Sequence, residues 1–184
     1  MKRINLIATL LLGTIAFTGC EKTACASTPY ALAADFAGQS GLYGIMENDG
    51  PQYAAHHVKW QINESFSEIS MELADAYPDT RVQSFVRHAS FDKPQETITI
   101  TDHYSCDGLT PVLSLITYEV PTWDPEKQIL HVGDLGDCQI PNASKVIIEC
   151  LPITDARLQL AWKADLWRIL VTPEKDDLTL IITK

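Results

Sequence analysis

Basic residues are scarce in this sequence. Lys and Arg together number 14, against 24 Asp and Glu, and the net charge over 184 residues is −10. They form no run, so a surface built to neutralise a nucleic-acid backbone is excluded. The same balance makes an anionic polysaccharide a poor passive ligand unless cations cluster locally. No C-x-x-C pair occurs, which removes zinc ribbons and thioredoxin-type redox motifs. A nucleophile elbow, a P-loop, a dinucleotide fingerprint and H-E-x-x-H are all missing. Internal repeats and low-complexity runs are missing too. The first apolar run ends at Phe17 and is short for a membrane span.

That run has a different use. "MKRINLIATLLLGTIAFTGC" places Lys2 and Arg3 before an apolar core and ends in small residues, as a secretory signal does. Its end, "FTGC", resembles the lipobox of bacterial lipoproteins, with Phe17 where Leu is usual. The resemblance implies a signal peptide over 1–19 and lipidation of Cys20. Anchoring by several acyl chains is stable where one chain is marginal. The alternative is an ordinary signal cut further on, within "CASTPYALAA". Cutting before Cys20 removes two positive charges and takes the net charge from −10 to −12. Residues 20–40 are small and polar and read as a tether. The expected location is therefore extracytoplasmic, held to a bacterial membrane.

Four further cysteines follow: Cys25, Cys106, Cys138 and Cys150. An exported chain can oxidise them, and four allow three connectivities. Cys138 and Cys150 flank "QIPNASKVIIE", which reads as a hairpin around Pro141-Asn142, so they are the candidate disulfide.

From residue 41 onward the period is two. "FSEISMELA" puts Ile69, Met71 and Leu73 on one face and Glu68, Ser70 and Glu72 on the other. "RVQSFVRHAS" and "TITITDHY" follow, with Ile98 and Ile100 inward. "TPVLSLITYEV" is apolar on both faces, as a central strand is. "PTWDPEK" reads as a turn. "QILHV", "DCQI", "KVIIECL", "LWRILVT" and "LTLIITK" complete the set. "ITDARLQLAW" breaks the pattern. Thr154 or Asp155 can cap a helical turn there, with Leu158 and Trp162 on one face. The fold expected over 41–184 is all-β: an antiparallel β-sandwich of about ten strands with one short helical segment near the C-terminus.

Candidate chemistry is thin. His56 and His57 point to opposite faces of a strand and cannot share a metal. His88 and His103 sit on neighbouring strands. Asp102, His103 and Asp107 could form a carboxylate–imidazole pair, or serve only as turn residues. No metal, cofactor or catalytic residue is assigned. Trp60 alternates with Val58 and Ile62, which places it in the core. Trp162 and Trp167 would pin the helical turn to the sandwich. Trp123, in a loop, is the candidate exposed stacking surface for a sugar.

In order, several pieces resemble the C-terminal β-sandwich region of heparinase II/III-like polysaccharide lyases. "YGIMENDGPQYAA" (43–55) is similar to that family's Asn-Gly-Ile-x-Gln stretch followed by Gly-x-x-Tyr-x-Ala. "ELADAYPDTRVQSFVRH" (72–88) resembles its "AYP…V…W/F-x-R" segment, and "ITITDHY" (98–104) its "I-x-D-x-Y" strand. "PITDARLQLAWKADLWRILV" (152–171) is similar to its closing segment. Tyr43 stands where the family has Asn, Glu47 where it has Gln, and 36–41 hold no histidine. The helical toroid that carries the family's proton-abstracting residues is missing as well, so the resemblance does not carry the activity. Tyr43 joins Trp123 as a candidate carbohydrate contact.

Three readings stay open. One is a lipid-anchored, non-catalytic module that contacts a polysaccharide or another protein. The second is a component, or truncated remnant, of a lyase whose catalytic toroid is a separate subunit. The third is a structural envelope lipoprotein.

Overall fold

The computed structural model describes residues 54–77 and 79–184, together with the backbone of a short strand at 14–18. Cys20, Cys25, the tether and Tyr43 lie outside the described residues. The strands among the described residues are β1 (Thr14–Thr18), β2 (His56–Ile62), β3 (Phe66–Glu72), β4 (Val82–Asp92), β5 (Thr97–Cys106), β6 (Thr110–Thr117), β7 (Pro121–Asp124), β8 (Ile129–Val132), β9 (Gly136–Gln139), β10 (Ala143–Leu151), β11 (Leu166–Pro173) and β12 (Asp177–Thr183). A single helical turn, α1 (Leu158–Ala161), precedes β11.

These strands build two antiparallel sheets. The larger runs β2-β3-β4-β5-β12-β9-β8-β7; the smaller runs β1-β6-β11-β10. Their facing sides make the all-β sandwich that alternation in the sequence predicts. Phe85, Ile100, Leu178 and Leu180 from the large sheet meet Leu113, Leu115, Ile169 and Val171 from the small one, all nearly inaccessible. Ile98 and Ile100 face inward as expected, Ile100 fully and Ile98 packed at the margin. A smaller apolar cluster of Leu151, Ile153 and Leu166 seats Leu158 of α1.

The sheets differ in width, and this decides the fate of β2. Opposed residues of an antiparallel ladder share a face. Trp60 opposes Ile69, Ile69 opposes Ala89, and Ala89 opposes Ile100. Trp60 therefore lies on the core side, as alternation predicts. The four-stranded sheet does not reach it, and Trp60 is 70% exposed.

Three connections differ from the sequence reading. "PTWDPEK" holds the short strand β7, paired with β8. The segment 138–150 is not a hairpin: β9 pairs with β8 and β12 in the large sheet, while β10 pairs with β11 in the small one. Pro141-Asn142 is thus a passage between layers. Asn142 anchors it, its amide donating to the Asp177 carbonyl (2.8 Å) and carboxylate (2.7 Å) and its oxygen accepting from the Thr179 N–H. The helical segment is also shorter than 153–162. Asp155 starts it, accepting the N–H groups of Arg157 and Leu158.

The expected Cys138–Cys150 disulfide is not formed, because the two residues sit on different sheets. Cys138 points into the core as a free thiol and Cys150 is an exposed free thiol. Burial pushes the Cys138 thiol up to about 12, which suppresses the thiolate that oxidation needs.

Candidate functional site

Two constellations stand out among the described residues. The first is buried. β4 and β5 run antiparallel with Arg87 opposite Asp102. Both side chains point to the core face, where Asp102 is 1% exposed. The pair is a two-pronged fork: Arg87 Nε donates to Asp102 Oδ1 at 2.7 Å and Nη2 to Oδ2 at 2.8 Å. Such planar, charge-assisted geometry is what Arg and not Lys provides. Burial works to lower the Arg87 pKa, but the hydrogen bonds and charge of Asp102 outweigh it and the net direction is upward.

Aromatic residues close around this pair. The Arg87 guanidinium lies 5.5 Å from the centre of the Phe85 ring. Phe85 in turn stacks at a tilt between Tyr77 and Tyr104. The Tyr104 hydroxyl donates to Asp102 Oδ2 at 3.3 Å. Burial first, then the Asp102 charge, push the Tyr104 phenol far above its ordinary value. At neutral pH this tyrosine is a proton donor held in place, not a base.

Glu72 secures the neighbouring turn. Its carboxylate accepts the N–H groups of Leu73, Ala74 and Phe85 and the Ser84 hydroxyl. Burial raises its pKa, but these four donors together bring it below the ordinary carboxylate value. A depressed folded-state pKa means that its stabilisation is complete above the unfolded pKa and is lost as pH falls through the folded one.

The second constellation is open. At one end of the sandwich, Ile153, Gln159, Trp162, Lys163, Ala164 and Asp165 line a cleft of about 280 Å³. Trp162 leans on Tyr118, with ring centres 5.9 Å apart, and both rings are partly exposed. The polar groups are braced. Gln159 Nε2 donates to the Ile153 carbonyl, Lys163 Nζ to the Gln159 carbonyl, and Asp165 Oδ1 accepts the Ile153 N–H. The cleft thus offers an aromatic edge beside an ammonium, an amide and a carboxylate, the mixture that polyhydroxylated ligands need.

No protein-family model and no curated protein matches this chain.

The residues singled out in the sequence fare differently. Trp123 is not an exposed platform. On β7 it is half-buried and packs against the main core, because the segment expected to be a loop is a strand. Asp102 and His103, adjacent on a strand, point to opposite faces, so the carboxylate–imidazole pair considered there does not form. Asp102 takes Arg87 instead. Among the described residues the shortest pair of that kind is His131 Nδ1 with Asp137 Oδ1 at 2.7 Å, across β8 and β9, with both side chains about half exposed; His56 Nε2 with Asp75 Oδ2 at 3.1 Å is a second. His88 lies opposite Thr101 and His103 opposite Val86. Among the described residues no group of three or more His, Cys, Asp or Glu converges on a metal position. The cleft was not anticipated. The available signal was "QLAWKAD", in which a tryptophan falls between a glutamine and a lysine.

Proposed function

We propose that this chain is an exported β-sandwich that binds polysaccharide through the cleft beside Trp162. The observation that carries the reading is the Trp162–Tyr118 pair standing at the edge of a cleft with braced polar groups. A sugar ring stacks its C–H face on an aromatic side chain while its hydroxyls meet amide and carboxylate groups. Lys163 supplies a local cation on an otherwise acidic protein, which suits a uronate-bearing glycan. The resemblance to the sandwich region of heparinase II/III-like lyases supports the same substrate class. It rests partly on Tyr77, Phe85, Arg87, Asp102 and Tyr104, which make one cluster.

Isothermal titration with uronate-containing and neutral oligosaccharides tests the reading. Trp162→Ala should weaken uronate binding about tenfold, roughly 1.4 kcal/mol. Circular dichroism should not change, since Trp162 lies outside the core. Undiminished binding by Trp162→Ala, or no binding to any glycan by the parent chain, overturns the proposal.

The site of action follows from the N-terminus. We infer that Cys20 carries the lipid anchor and that residues 1–19 are removed. Labelled palmitate should enter the wild-type chain in bacterial cells and not the Cys20→Ala chain; a wild-type chain without label ends the anchor reading. Removal would also take away β1, which pairs with β6 from Thr110 to Ser114, and leave that edge of the small sheet open.

A further inference from the structure

The structure leaves β2 with two liabilities in one place. Its residues Val58, Trp60 and Ile62 are large, apolar and about half or more exposed. It is also the terminal strand of the eight-stranded sheet. Natural edge strands are protected by shortness, proline, bulges or charges. β7, at the opposite edge, has four residues and begins with Pro121. β10, an edge of the small sheet, carries a register shift between Ala143 and Lys145. β2 has a register shift too, between His56 and Lys59, but it is regular from Lys59 to Ile62 and has no proline.

The hydrogen-bond parity of β2 shows what this edge presents. The Asn63 N–H donates to the Phe66 carbonyl, which makes 63 and 66 a bonded pair at the turn. In an antiparallel ladder bonded and non-bonded pairs alternate. Gln61–Glu68 and Lys59–Ser70 are then the bonded pairs towards β3. The other ladder agrees: the Leu73 N–H donates to the Phe85 carbonyl, so the odd residues of β3 bond to β4 and the even ones to β2. Trp60 and Ile62 consequently turn their N–H and C=O groups outward from the sheet.

We propose that this edge is a homodimer interface, with β2 pairing antiparallel to β2 of a second copy about a two-fold axis through Trp60. Three features favour a second copy. Parity matches, because an outward-bonding residue pairs with itself and Trp60 exchanges two hydrogen bonds with its own counterpart. The apolar side matches, because Val58 of one copy falls opposite Ile62 of the other on the same face as both Trp60 rings. Charge matches on the opposite face, because Lys59 falls opposite Gln61 and not opposite another lysine. Shifting the axis one residue to Lys59 would set like charges face to face, which is unfavourable. A two-fold axis makes such an interface self-complementary and closed, so pairing ends at two copies. The two large sheets would join, with both exposed tryptophans inside the seam. The contact opposes the net negative charge of the chain, so added salt should tighten it.

Sedimentation velocity on the full chain, with circular dichroism as a folding control, tests this. The parent chain should sediment as a monomer–dimer equilibrium at micromolar to submillimolar concentration. Trp60→Lys should weaken the dimer at least tenfold. Gln61→Lys, which places a lysine opposite Lys59, should also weaken it, while Gln61→Glu should strengthen it. Leu160→Lys, at an exposed apolar residue away from this edge, should leave it unchanged. A monomeric parent chain overturns the proposal, and so does a dimer indifferent to Trp60→Lys. A dimer that responds to Trp60→Lys but equally to Gln61→Lys and Gln61→Glu overturns the Trp60-centred register.

Discussion

Asp102→Ala should lower the unfolding free energy by about 3–5 kcal/mol, the loss usual when one member of a buried ion pair is removed. The reason is asymmetric. Asp102 is 1% exposed and is held by both prongs of Arg87. Without it, the guanidinium stays in the interior and loses both of these charge-assisted hydrogen bonds, and the Tyr104 hydroxyl loses an acceptor. A domain of this size has about 5–15 kcal/mol to lose. Urea denaturation followed by circular dichroism should show the midpoint falling by about 2 M, taking a slope near 2 kcal/mol/M. The double variant Arg87→Leu with Asp102→Leu should lie much closer to the parent, since it removes the charge together with its partner. A shift below about 1 kcal/mol for Asp102→Ala would falsify the buried pairing described above.

Gly136→Ala is the second large effect, expected at about 2–4 kcal/mol. Gly136 opens β9 with φ at 140°, in a region that side chains rarely adopt. A Cβ there would stand 2.3 Å from the Thr183 carbonyl oxygen. That oxygen belongs to the backbone of β12, so no side chain can swing away. Relief requires β9 to part from β12, and β12 is the strand through which β7, β8 and β9 join the rest of the sheet. Gly108→Ala makes the comparison clean. Gly108 also has positive φ, at 64°, but nothing lies within 4 Å of its added Cβ. Its loss should be about 1–2 kcal/mol, the left-handed backbone strain alone. Equal midpoints for the two variants in thermal unfolding would remove steric contact with Thr183 as the cause.

Much of the fold was legible because strand periodicity is local. Ile98 and Ile100 in "TITITDHY" and Ile69 in "FSEISMELA" name their face without knowledge of any partner. What failed depended on the second layer. Trp60 keeps the right phase, yet the narrower sheet stops short of it, and sheet width is not written in the alternation of one strand. Cys138 and Cys150 flank a good turn dipeptide, but Pro141-Asn142 fits a passage between sheets as well as a hairpin. Trp123 looked exposed because four residues between prolines and acidic residues are a weak strand signal. The cleft was hidden for another reason. Tyr118 and Trp162 are far apart in sequence and meet only when β6 and the segment after α1 come to the same end of the sandwich.

The Arg87–Asp102 fork also bears on how the chain finds its fold. β4 and β5 are the longest hairpin among the described residues, and their cross-strand ladder runs from Val82–Cys106 to Asp92–Thr97. A slip of one residue would turn every side chain of one strand to the wrong face, sending Asp102 to solvent and leaving Arg87 facing an apolar layer. A slip of two keeps the faces but sets Arg87 against Ile100 or Tyr104. Hydrophobic alternation alone penalises the second error weakly, since one apolar residue replaces another. The ion pair penalises it by a stranded charge. It thus serves as an alignment key for the hairpin, rejecting misthreaded ladders that greasy side chains would tolerate.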